Sequence, residues 1–79
     1  MPEIVRLTNS KICIFPDDHA PPHFHLIGPG WKITIDITTL EVLKGKAPKA
    51  DVGEAIRWAT VPDNLVTLVS EWRRLNERD

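Results

Sequence analysis

The hydrophobic period of this chain changes once, near residue 49, from two residues to about 3.6, and that switch limits what it can fold into. Before the switch, short alternating or β-branched runs are separated by turn residues. After it, apolar side chains recur at helical spacing. Strands gathered in one half and helices in the other do not give the βαβ alternation of a parallel sheet, so the expectation is an α+β domain. A small antiparallel sheet of four or five strands should be followed by two C-terminal helices packed on one face. With 79 residues there is room for a single domain, 1–79, with strands and turns over 1–48 and helices over 49–79. A domain this small buries only about 60% of its unfolded surface, so its core is thin and burial against another protein, or in a homodimer, would help it.

Glu3 to Thr8 alternates and Lys11 to Phe15 is β-branched and aromatic, with Asn9-Ser10 as the turn of a first hairpin. Three prolines between Pro16 and Pro22 remove ladder donors and make that segment a loop. A second hairpin joins His23 to Ile27 with Trp31 to Ile37 through Gly28-Pro29-Gly30. In it Trp31, Ile33, Ile35 and Ile37 share one face, and Lys32, Thr34 and Asp36 the other. Leu40 to Leu43 adds a short edge strand ended by Gly45 and Pro48. Asp51 and Glu54 have the spacing of a capping box ahead of the stripe Val52, Ala55, Ile56 and Ala59. Pro62 closes this helix, and Asp63 is the expected N-cap of a second one, whose apolar face is Leu65, Leu68, Val69, Trp72 and Leu75.

Composition narrows the function classes. A formal charge of -1 lacks the broad basic footprint of a dedicated nucleic-acid binder, although a local patch such as Lys44, Lys46 and Lys49 survives that argument. Apolar stretches of a few residues predict no membrane span, and Met1-Pro2-Glu3 does not resemble a secretory signal. A single cysteine, Cys13, leaves no internal disulfide and no cysteine-based zinc cage, and fits a reducing, cytoplasmic setting. Within an apolar strand it reads as a buried, inert thiol.

Chemistry is concentrated in Asp17-Asp18-His19-Ala20-Pro21-Pro22-His23-Phe24-His25, which holds all three histidines. Strand pleating sends His23 and His25 to one face and Phe24 and Leu26 to the other, so two imidazoles stand side by side once Phe24 faces the core. Pro21-Pro22 fixes two φ angles on the way in and lowers the entropy lost in placing them. His19, Asp17 and Asp18 lie in the loop that can fold back over the pair. Four readings follow. His23 and His25, with His19, Asp17 or Asp18, are candidate ligands of a divalent transition metal. One imidazole as general base and the other as general acid would serve hydrolysis. The face is otherwise a partner-binding surface, or the imidazoles simply satisfy turn backbone and cap the sheet edge. Against phosphoester chemistry, no Lys or Arg lies in the run to stabilise a phosphorane-like transition state, and no second acidic cluster suggests a two-metal clamp.

Met1-Pro2-Glu3-Ile4, the Asp18 to His25 run, the Trp31 to Ile37 strand, Leu43-Lys44-Gly45, and the late Trp58 and Trp72 occur in one order. Together they resemble the small bacterial domain-of-unknown-function family 4160, whose hallmark is Pro-Pro-His-Phe-His. Gly28-Pro29-Gly30 departs from the family's usual turn. The positions that match the motif are His19, Pro21, Pro22, His23, Phe24 and His25. The resemblance implies a compact α+β protein, often encoded beside another small protein in toxin–antitoxin-like arrangements on mobile DNA. The expected function is therefore a small cytoplasmic interaction module that contacts a cognate small protein near the His23/His25 face. A metal-dependent hydrolase or nuclease toxin using the same histidines is the alternative. A mobile-element-encoded inhibitor of a host complex is a second.

Overall fold

The computed structural model of the chain describes residues 3–16 and 19–76. Five strands come first: β1 (Glu3–Arg6), β2 (Lys11–Cys13), β3 (His23–Gly28), β4 (Trp31–Asp36) and β5 (Val42–Lys44). Two helices follow, α1 (Lys49–Thr60) and α2 (Pro62–Asn76). The strands form one sheet in sequence order, each antiparallel to the next, so the fold is an α+β meander with a helical pair.

Register explains why one face is dry. Phe24 lies opposite Ile35, and Leu26 opposite both Ile33 and Ile12, so these side chains share a face. With Ile14 and Ile37 they form a buried cluster that takes Ala55 and Ala59 from α1 and Leu68 and Trp72 from α2. Each large side chain so buried contributes about 1.5–3 kcal/mol. Small residues on α1 let that helix sit close. Trp31 and Trp58 are partly buried against the same cluster, so none of the three tryptophans stands out in solvent. Gly28 is opposite Trp31, and a Cβ there would overlap the indole, which occupies the space the glycine leaves. At Gly45, φ is +90°, and a Cβ would lie 2.5 Å from the Lys32 carbonyl oxygen, so glycine alone fits the end of β5.

Both edge strands are bulged. Ile4 is the extra residue of β1 between Glu3 and Val5, and Leu43 that of β5 between Val42 and Lys44. Bulges bend an edge away from a regular ladder, so neither edge offers a ready template to a second copy.

Several boundaries differ from the sequence-based expectation. β1 stops at Arg6 because the Leu7 amide donates to the Ser10 carbonyl and closes the turn, and β2 stops at Cys13. β5 starts at Val42, since a loop forms first in which the Leu40 amide donates to the Asp36 carbonyl, with Leu40 at φ +61°. Asp36 Oδ1 accepts from the amides of Thr38 (2.6 Å) and Thr39 (3.0 Å) and holds that loop. The expected capping box does not form: α1 begins at Lys49, Pro48 is its flanking residue, and no side chain caps it. Glu54 instead accepts from the Thr8 hydroxyl (2.6 Å) and the Thr8 amide (3.3 Å). That amide lies beyond the β1 ladder, and the long-range bond satisfies it. Nor is Asp63 an N-cap. Pro62 is the first residue of α2, where a missing N–H costs nothing, and extended Val61 precedes it.

Glu54→Ala should therefore lower stability by about 1–2 kcal/mol, although Glu54 is outside the core. In a domain of this size that corresponds to a Tm lower by roughly 4–8 °C per kcal/mol, measurable by thermal circular dichroism. An unchanged Tm would mean that the Thr8 turn holds without it.

Candidate functional site

The strand His23-Phe24-His25 sits at the centre of the sheet, between β2 and β4. His25 lies opposite Cys13 and Thr34, and His23 opposite Asp36, all on the sheet face opposite that of Phe24 and Leu26. The two rings are neighbours, with centroids 5.2 Å apart and planes at 77°. His25 meets Phe15 edge to face at 4.8 Å, and His23 meets Trp72 of α2 at 5.0 Å. Four rings thus form a row, Phe15, His25, His23, Trp72, across the end of the sheet where the diproline loop enters. The Asn76 side chain donates to the Phe15 carbonyl (3.1 Å) and ties the last turn of α2 to the same place.

His23 is 9% exposed. Its Nδ1 lies 2.8 Å from the Pro21 carbonyl oxygen. A carbonyl only accepts, so Nδ1 carries a proton, and in the neutral ring Nε2 carries the lone pair. The diproline lead-in accordingly does two things: it delivers the strand, and it sets the tautomer of the first imidazole. The Ala20-Pro21 peptide in it is cis. A cavity of about 170 Å³ opens beside the row, between Pro22, Ile37, Thr38, Val69, Trp72 and Arg73.

Of the expected metal ligands, His23 and His25 come together. His19 is exposed, and among the described residues no three His, Cys, Asp or Glu side chains group so as to hold an ion. Asp17 and Asp18 lie outside the described residues. Lys44, Lys46 and Lys49 are all exposed. Cys13 is 3% exposed, and burial pushes its thiol above the ordinary range. Native protein at neutral pH should therefore react with a thiol-specific aromatic disulfide far more slowly than unfolded protein. Equal rates would contradict the burial.

Two members of the row were not read from the sequence as part of the site. Phe15 keeps the alternation of Cys13, which would have placed it on the histidine face. The contact between Trp72 and His23 has no such signal, because the helical pattern places Trp72 only on an apolar stripe.

Fold and site together define a small five-stranded meander with a paired-helix cover and an imidazole pair on its central strand. Residues 10–73 match the family model described as a domain of unknown function, DUF4160, and the chain belongs to that family. Comparisons with curated proteins and with solved structures found no match. No helix among the described residues is long and apolar enough to cross a membrane.

Proposed function

We propose that this chain is an interaction module, a component of a toxin–antitoxin-like pair that binds a cognate small protein through the face carrying His23 and His25. The observation that supports the reading is the aromatic row. Phe15 and His25 are half-buried, held edge to face, and backed by His23 and Trp72, so they offer a rigid amphipathic surface that loses little entropy on binding. Co-expression with the product of the adjacent gene should give a complex that co-purifies. His25→Ala should weaken that complex while leaving the fold intact. Failure of the wild-type pair to associate would contradict the reading.

A second reading is favoured by the bond from His23 Nδ1 to the Pro21 carbonyl. Metal-binding histidines commonly donate their other ring nitrogen to a backbone carbonyl, and this fixes the tautomer. On this reading His23 and His25 are two ligands, and the metal serves hydrolysis, as in a nuclease toxin. Equilibrium dialysis of the full chain against zinc should then give about one ion per chain, lost in H23A/H25A. No uptake by the wild type would remove this reading.

A further inference from the structure

We propose that the open end of the histidine-bearing sheet face, over Arg6, Lys11 and Lys32, docks an acidic segment of a protein partner. The proposal rests on the reading of the chain as an interaction module and specifies the chemistry of the partner.

Register places these cations in one transverse row. Arg6 lies opposite Lys11, Lys11 opposite Ile27, and Ile27 opposite Lys32, while Lys44 enters the next row opposite Thr34. Both helices contribute to the core on the other face, and α2 reaches this one at the His23 end, through Trp72. With adjacent strands about 4.8 Å apart, Lys11 and Lys32 stand about 10 Å apart at their backbones. That is close to the Debye length of about 8–10 Å in ordinary buffer, so one ligand feels both charges. Few carboxylates answer them. Glu3 pairs with Arg6 at 3.2 Å. Asp36 is buried and holds the Thr38 and Thr39 amides. Among the described residues, Lys11, Lys32 and Lys44 make no ion pair. A chain of net charge -1 therefore has a positive patch on one sheet face.

The shape and the composition of the patch favour a peptide. A cleft of about 390 Å³ borders it, lined by Arg6, Lys11, Ile27 and Pro29 among others. Ile27 sits half-buried between Lys11 and Lys32, so an aliphatic side chain flanked by carboxylates fits the row. A nucleic-acid strand needs open aromatic faces beside its cations. The rings on this face, Phe15, His25 and His23, are instead packed edge to face against one another.

The test is an NMR titration of the full chain with a short peptide alternating Glu and Leu, run beside an oligothymidine and inorganic phosphate. The peptide should shift the amides of Arg6, Lys11, Ile27 and Lys32. Its affinity should fall about tenfold in K11E/K32E, less in K11Q/K32Q, and fall again as salt is raised. Arg57→Glu, on α1, should leave it unchanged. Absence of peptide binding, shifts elsewhere, or indifference to both lysine variants would overturn the proposal. Lysine-dependent binding of oligothymidine in preference to the peptide would overturn it too and assign the face to nucleic acid. If the adjacent gene product still co-purifies with K11E/K32E, the docking surface fails and the interaction reading stands. If wild type captures no partner yet binds the peptide here, the outcome is reversed.

Discussion

Phe24→Ala should remove a large fraction of the chain's stability, about 3–5 kcal/mol, whereas His25→Ala, one position along the same strand, should cost far less. Phe24 is fully out of water, within the cluster of Ile12, Leu26, Ile33 and Ile35. Removing a buried phenylalanine costs about 3–5 kcal/mol, through lost transfer energy and the cavity left behind. A domain of this length has in total roughly 4–12 kcal/mol of stability. His25, on the opposite face and partly exposed, gives up edge-to-face contacts with Phe15 and His23, together worth about 1–2 kcal/mol. Urea unfolding followed by tryptophan fluorescence separates the two. Similar losses would contradict the pleat that sends these neighbours to opposite sides.

Trp72→Ala should be as damaging as Phe24→Ala and should also change the histidine site. Trp72 is 3% exposed and belongs to the core, so truncation again costs about 3–5 kcal/mol. Its ring is also the wall against which His23 packs. Trp72→Leu keeps an apolar side chain but no aromatic wall and should cost less, while the His23 ring resonances move toward those of an exposed imidazole. If His23 keeps its resonances in the leucine variant, Trp72 does not position it.

Much of this architecture was legible in the sequence because strand and helix periods are local. The alternation of Trp31, Ile33, Ile35 and Ile37 and the stripe Leu65, Leu68, Val69, Trp72 each identify a buried face. The same parity placed His23 beside His25 without any knowledge of the fold. What failed was long-range. Glu54 has the right spacing for a capping box, yet the Thr8 turn competes for its carboxylate across the fold, and no local pattern reports that competition. The end of β1 depended on a turn bond between Leu7 and Ser10, and the start of β5 on a loop organised by Asp36. Both concern boundaries, where side chains and turns outcompete propensity. The row from Phe15 to Trp72 was half readable: parity reaches Phe15, and only tertiary packing delivers Trp72.

The imidazole pair itself is tested most directly by long-range nitrogen–proton NMR of the histidine rings, combined with nuclear Overhauser contacts. His23 should be protonated at Nδ1 in its neutral form, with contacts to the rings of His25 and Trp72. A His23 ring protonated only at Nε2, with no contact to either neighbour, would contradict the site as described.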